Sequence, residues 1–319
     1  MSRRSPFQPF LDGQGFVALD GGLATALEAA GHLLDTPLWS ARLLLDAPDA
    51  VRAAHLAYLE AGADCVTTAS YQASFEGFAE AGLGPREAEA LLRRAVELAR
   101  EARDAFWSAP ANRRGRLEPI IAASAGPYGA FLADGSEYDG RYSVGREALA
   151  EFHRRRLGVL ADTPANLVAF ETIPSLAEAE VIAELLAEVP DTWAWITFSC
   201  RDAGRLWDRA PLEAAVRAAI SAPRLAGVGV NCTSPRHVTS LIDVVRSVTD
   251  LPIIAYPNSG EVYDRDTGKW RGKPTGADWL AGAAEWFDHG ARVLGGCCRV
   301  GPLTIRKLRA ELEGTTLGT

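Results

Sequence analysis

Residues 167–199 read LVAFETIPSLAEAEVIAELLAEVPDTWAWITFS, and this stretch sets the pattern for the rest of the chain. An apolar run, Leu167–Thr172, leads into Ser175-Leu176-Ala177-Glu178. That Ser-x-x-Glu spacing is a capping box, the signature of a helix start. An Ala/Leu/Glu segment follows, and a second apolar run, Trp193–Ser199, ends the unit. Six more short runs alternate with longer Ala/Leu/Glu/Arg segments: Phe16–Asp20, Asp64–Ala69, Pro119–Ala125, Ala226–Asn231, Pro252–Pro257 and Arg292–Cys297. Between them, Val51, Ala54, His55, Tyr58 and Leu59 share one helical face, as do Leu91, Leu92, Ala95, Val96 and Ala99. Ser234-Pro235 places an N-cap before a proline at the first helical position, and Thr275-Gly276-Ala277-Asp278 resembles a weaker box. Eight strands alternating with helices over about 250–300 residues predict a (β/α)8 TIM-type barrel, with residues 1–319 as one domain. An open doubly wound sheet is the alternative, because strand number alone does not show closure.

Composition narrows the class. The chain carries 33 Lys+Arg against 41 Asp+Glu, a net charge of −8, which disfavours nucleic acid and anionic membranes as partners. No apolar run approaches the roughly 20 residues that span a bilayer. The start, Met1-Ser2-Arg3-Arg4-Ser5-Pro6, is basic but leads into no apolar stretch, so it does not read as a signal peptide. Residues 1–12 are expected to be a loosely ordered N-terminal segment, and the cytoplasm is the expected compartment.

Five cysteines are too few, and odd in number, for a disulfide framework. Cys65 and Cys200 stand in or beside apolar strand-like runs and read as core thiols. The other three stand where a barrel enzyme keeps its chemistry, at the C-terminal ends of strands. Cys232 ends the sixth run, and Cys297-Cys298 ends the eighth. In a closed barrel only the seventh strand lies between those ends, so three thiolates can converge. Zinc suits such a point, since it takes tetrahedral thiolate ligands at about 2.3 Å and keeps a position open in catalytic sites. A buried vicinal pair with an unrelated third thiol, or a strained disulfide between neighbours, fits the spacing equally well. Gly295-Gly296 tilts the balance toward a metal, because glycine lets the backbone fold tightly enough for adjacent side chains to share an ion.

Charge counting then suggests a chemistry. Zn²⁺ with three thiolates carries a net −1, a poor Lewis acid for hydrolysis. The chain has only five histidines, none in a His-x-His or His-Glu-x-x-His pattern. Such a site is suited to taking a further thiol as its thiolate and to meeting a cationic electrophile such as a sulfonium. Two carboxylates, Asp20 and Glu171, stand at the same rim. They are either a general acid/base pair or a grip for a substrate ammonium, with the amides of Gly21-Gly22 and the Thr68 hydroxyl taking its carboxylate. Asp20 before two glycines is also a common turn former. Trp39, Tyr128, Tyr138 and Trp270 are candidates for cation–π contact with a sulfonium, and His237 reads as a solvated or capping residue rather than a ligand.

The chain also resembles the homocysteine S-methyltransferase family across nearly its whole length. The resemblance rests on Leu19-Asp20-Gly21-Gly22, Thr68-Ala69-Ser70-Tyr71-Gln72-Ala73-Ser74, Gly126-Pro127-Tyr128-Gly129-Ala130 and Ala133-Asp134-Gly135-Ser136-Glu137-Tyr138. It continues in Phe170-Glu171-Thr172-Ile173-Pro174, Val230-Asn231-Cys232, Tyr256-Pro257-Asn258-Ser259-Gly260-Glu261 and Gly295-Gly296-Cys297-Cys298-Arg299. The cysteine segments are shared with betaine- and folate-dependent relatives. The Ser-Tyr-Gln-Ala-Ser, Ala-Asp-Gly-Ser-Glu-Tyr and Tyr-Pro-Asn-Ser-Gly-Glu segments resemble the branch that uses S-methylmethionine or S-adenosylmethionine.

The resemblance implies zinc on Cys232, Cys297 and Cys298, homocysteine contacts at Asp20, Thr68 and Glu171 beside Gly21, and methionine as product. It departs at Asp202-Ala203 and Asp208-Arg209, where relatives commonly carry Asp-Gly pairs. A chain of 319 residues leaves no room for a cobalamin or folate domain, and Glu311–Thr319 is too short for a long oligomerising arm. A zinc hydrolase on the same barrel and a non-catalytic zinc- and homocysteine-binding protein are the alternative functions.

Overall fold

The computed structural model describes residues 4–32, 39–264, 269–272 and 276–317. All eight anticipated runs are strands: β1 (Val17–Ala18), β2 (Cys65–Thr67), β3 (Ile120–Ala125), β4 (Leu167–Ile173), β5 (Ala194–Phe198), β6 (Leu225–Asn231) and β7 (Ile253–Tyr256). An unanticipated antiparallel ribbon, β8 (Val262–Asp264) with β9 (Lys269–Arg271), intervenes before β10 (Ala291–Leu294) completes the set.

The eight strands pair in parallel in the order β1-β10-β7-β6-β5-β4-β3-β2. That order never reverses, as a doubly wound sheet would require. Its two ends also meet. Leu19 and Cys65 form a parallel bridge, Asp20 N donates to Cys65 O at 3.1 Å, and Asp64 N donates to Ala18 O at 2.7 Å. The sheet is therefore a closed (β/α)8 barrel. Strands β3 to β6 are buried along their whole length, which is why they read as near-continuous apolar runs rather than as alternating ones.

Apolar side chains fill both sides of the sheet. Val17, Leu19, Ile120, Leu167, Trp195 and Ile254 belong to a cluster that also takes in Phe7 and Phe10. The expectation of a loose start at residues 1–12 therefore fails for the described part. Gln8–Gln14 is a helix, Phe7 and Phe10 are buried, and the Phe7 ring stacks on Trp195 at 5.8 Å between centroids. The helix covers an apolar barrel end that would otherwise meet water. Asp64 anchors it there, accepting from Gln14 Nε2 and from Arg309 Nη1 of the last helix, both at 2.7 Å.

Helix Leu176–Glu188 starts as its capping box predicts, with Ser175 Oγ accepting from Glu178 N at 3.3 Å. Glu178 does not complete the box. Its buried carboxylate accepts from Tyr128 N at 2.6 Å and Tyr142 OH at 3.1 Å in the loop after β3, and meets His153 Nε2 at 2.8 Å. Arg156 Nη2 donates to His153 Nδ1 at 3.1 Å, which leaves the proton on Nε2 to face Glu178. Ser234 does precede helix Pro235–Arg246, with Pro235 in the first turn but no side-chain cap bond. Thr275 lies outside the described residues. Among the described residues no helix is long and apolar enough to cross a membrane.

Candidate functional site

The site is assembled where β4, β6, β7 and β10 end. β6 stops at Asn231, whose side chain bonds Thr172 twice: Oδ1 accepts from Thr172 N at 2.7 Å and Nδ2 donates to Thr172 Oγ1 at 2.8 Å. Thr172 has φ +64°, a true outlier for a β-branched residue, and this pair of bonds holds it there. Cys232 follows at φ +46°. Past β10, Gly295 passes so close to the end of β1, and Gly296 so close to Val300, that a side chain would not fit at either. A Cβ would lie 2.5 Å from Leu19 Cβ at the first and 2.1 Å from Val300 Cγ1 at the second. Close approach, rather than an unusual φ, is what requires glycine here. Cys297 N then donates to Pro257 O at 2.8 Å, and Ser259 N to Cys298 O at 3.0 Å, tying the cysteine pair to the end of β7.

The three thiols meet as the spacing argument anticipated. Cys232 Sγ lies 3.7 Å from Cys298 Sγ, Cys297 and Cys298 are 4.0 Å apart, and all three sulfurs fall within 4.8 Å of one another. All are free thiols, so the vicinal pair is not a disulfide. Four sulfurs about 2.3 Å from a zinc ion lie about 3.8 Å apart at tetrahedral angles, so the donor set fits that ion. Its charges point the same way. Cys297 and Cys298 donate to Cys232 and hold its thiol well below the usual range. Both donors are in turn held well above it, chiefly through that same sharing. Three thiolates held this close repel one another, and a bound cation would offset that repulsion. Among the described residues this trio is the one such cluster of His, Cys, Asp or Glu donors. His237 stands apart from it, accepting from Arg236 Nε at 3.1 Å. Cys65 and Cys200 are buried in the core, as expected.

Asp20, Gly21, Thr68, Glu171 and the three cysteines line one pocket. Both carboxylates are buried. Asp20 Oδ2 accepts from Thr67 N at 2.8 Å, with Thr67 Oγ1 3.2 Å away. Burial is the main reason its carboxyl sits well above the usual range, and Glu171 adds to it. Glu171 accepts from Ser124 Oγ and, at 2.9 Å, from Tyr256 OH. Burial outweighs those bonds and pushes its carboxyl up to about 7.

The donors expected for a substrate carboxylate depart from expectation. Ser70 Oγ donates to Ser124 O at 2.7 Å, so Thr68 supplies the hydrogen of its own 2.7 Å contact with Ser70 and also accepts from Ser124 N. Gly22 N donates to Val300 O at 3.0 Å. Thr68 Oγ1 and Gly22 N are thus engaged within the protein, while the Gly21 amide makes no hydrogen bond with a described residue. Thr67, Ser124 and Tyr256, which hold the carboxylates, stand at or next to strand ends, but their partners sit on other strands and leave no local pattern for that role.

Of the aromatic candidates, Tyr138 lines the pocket with its hydroxyl 3.6 Å from Cys232 Sγ. Tyr128 packs instead with Phe131, Tyr142 and Phe152, away from the pocket. The side chains of Trp39 and Trp270 lie outside the described residues. In the loop after β5, Asp208 accepts from Leu176 N and Ala210 N, both at 2.8 Å, and Arg209 has φ +76°.

A model of the homocysteine S-methyltransferase family matches residues 17–312. Homocysteine S-methyltransferase YbgG of Bacillus subtilis (strain 168) is 46% identical over 306 residues, covering 96% of this chain and 97% of the relative. Homocysteine S-methyltransferase 4 of Zea mays is 47% identical over 305 residues, covering 92% and 88%. The crystal structure of the homocysteine methyltransferase MmuM from Escherichia coli in its metallated form superposes with a TM-score of 0.85 at 41% identity, covering 96% of this chain and 99% of that one. The matched stretch runs from β1 into the last helix and contains every pocket residue named above, and on that ground the chain belongs to the homocysteine S-methyltransferase family.

Proposed function

We propose that this enzyme moves a methyl group from a sulfonium donor, S-methylmethionine or S-adenosylmethionine, to the thiolate of homocysteine, yielding methionine. Cys232, Cys297 and Cys298 would hold a zinc ion. The observation that carries this reading is the sulfur separation of 3.7 and 4.0 Å, the edge length of a zinc–sulfur tetrahedron. A zinc ion there would supply one thing, a lowered pKa for the substrate thiol.

The chain's own residues do the rest. Asp20 and Glu171 take the substrate ammonium, whose positive charge offsets the burial that now holds both carboxyls up. Thr67 aims Asp20, and Ser124 with Tyr256 aims Glu171. Gly21 and Thr68 form the wall against which the amino-acid end rests. A hydroxyl contact from Thr68 to the substrate requires its hydrogen to leave Ser70. In the transfer itself, a bond forms between homocysteine sulfur and the methyl carbon as the donor's S–CH3 bond breaks, and that electron pair returns to the donor sulfur. Positive and negative charge cancel, which a pocket with little water assists. A hydrolytic reading lacks support, since no histidine or carboxylate joins the thiol cluster among the described residues.

The test is methionine formation from homocysteine with each sulfonium in turn, on protein stripped by chelator and then reloaded with zinc. Product with at least one donor, lost on stripping and restored by zinc, is expected. Homocysteine binding without product, or no product from either donor in zinc-loaded protein, contradicts the reading.

A further inference from the structure

The inner carboxylates account for one amino-acid ammonium, yet both proposed sulfonium donors carry a second amino-acid end. Four carboxyl side chains line the pocket, Asp20, Glu28, Glu137 and Glu171, and among the described lining residues Arg299 is the one cation. Its position is built rather than incidental. It follows Cys298 directly at φ +66°, and its backbone N donates to Thr25 Oγ1 at 2.9 Å. Its Nε donates at 3.3 Å to Glu261, a buried carboxylate that also accepts from Ser259 Oγ at 2.8 Å. The Nε bond fixes the plane of the guanidinium. Its terminal nitrogens make no hydrogen bond with any described residue, and the side chain is 41% exposed. Terminal nitrogens of a guanidinium fixed in this way are suited to a bidentate carboxylate.

Glu28 lines the same pocket. Thr25 and Glu28 are three residues apart on helix Leu23–Ala29, so they share a face, and Thr25 is already bonded to Arg299. The pocket thus presents Arg299 and the exposed Glu28 from two elements joined through Thr25, a cation and an acid that complement an amino-acid zwitterion. The buried pair, Asp20 and Glu171, serves the acceptor deeper in the pocket.

We propose that Arg299, together with Glu28, receives the α-carboxylate and ammonium of the methyl donor and so selects sulfonium compounds that carry an amino-acid end. This rests on the sulfonium reading above. Charge-assisted hydrogen bonds of this kind make roughly a ten- to hundredfold difference.

The experiment compares S-methylmethionine with its α-carboxamide as donors to homocysteine, using the zinc-loaded full-length enzyme. The wild type should favour the acid at least about tenfold in kcat/KM. Arg299→Met should bring that ratio near one with the KM for homocysteine unchanged, and Arg299→Lys should restore part of it. Because the ratio is taken within each variant, partial loss of zinc or fold cancels. Glu28→Gln should weaken acid and amide alike, since both keep the ammonium. A wild type that uses acid and amide equally, an Arg299→Met enzyme that keeps the preference, or a rise confined to the homocysteine KM overturns the assignment while leaving methyl transfer intact. Absence of transfer from every sulfonium overturns both together.

Discussion

Cys232 and Cys298 are 66 positions apart in the chain, and their sulfurs are 3.7 Å apart. Two strand ends of a closed barrel bring them together, and Cys297 completes a triangle of sulfurs that all lie within 4.8 Å of one another. Cys298→Ala should therefore lose zinc and methyl transfer together while the far-ultraviolet circular dichroism stays that of the wild type. Metal analysis of the purified variant checks this, and a full equivalent of zinc in it would remove Cys298 from the ligand set.

Glu171 gives a pH signature. Its carboxyl sits at about 7 instead of 4.5, with burial the largest cause. Between those values the unfolded chain has released a proton that the folded protein retains, so stability falls as pH rises through the window and levels off above it. The shift corresponds to about 3 kcal/mol. Glu171→Gln should melt higher than wild type at pH 8 and nearly the same at pH 4.5, both measured metal-free, while its KM for homocysteine rises. Parallel melting curves for the two proteins across that range would contradict the assignment.

The Asn231–Thr172 pair predicts a coupling between stability and metal. Removing the amide leaves Thr172 N–H buried without its acceptor and frees a strained φ of +64°. Asn231→Ala should cost about 2–3 kcal/mol in chemical unfolding. Because Cys232 is the next residue, zinc affinity should drop roughly tenfold as well, read by competition with a chromogenic chelator. A loss of stability with unaltered zinc affinity would confine Asn231 to a structural role.

Arg209 occupies a left-handed conformation, φ +76°, at a position where the family resemblance leads one to expect glycine. Arg209→Gly should stabilise the protein by roughly 0.5–1 kcal/mol, the relief of the left-handed strain outweighing the added freedom of the unfolded chain. Asp208 would keep its bonds to Leu176 N and Ala210 N, so methyl-transfer kinetics should not change. A lower melting temperature in the variant would show that the Arg209 side chain contributes contacts of its own.

Much of this was legible in the sequence, for identifiable reasons. Strands buried on both faces leave continuous apolar runs, and every run became a strand, with most boundaries shifted by one or two residues. The thiols converge because strand ends share a rim. Closure itself rests on the Leu19–Cys65 bridge, which no local pattern encodes. The N-terminal helix was missed because two phenylalanines three residues apart in a polar segment gave too short a pattern to register, and Phe7 finds its partner, Trp195, on a distant strand. Glu178 was read as a cap because Ser-x-x-Glu is a local signal, whereas its actual partners, Tyr128, Tyr142 and His153, lie 50, 36 and 25 positions away. For the same reason the hydrogen bonds committing Thr68 to Ser70 and Ser124 could not be read from spacing.

X-ray absorption at the zinc edge tests the central claim most directly. The zinc-loaded enzyme should show three sulfur neighbours at about 2.3 Å with one lighter atom, becoming four sulfurs when homocysteine is added. Fewer than three sulfurs at rest, or a first shell unchanged by homocysteine, would contradict a thiol-activating zinc site on Cys232, Cys297 and Cys298.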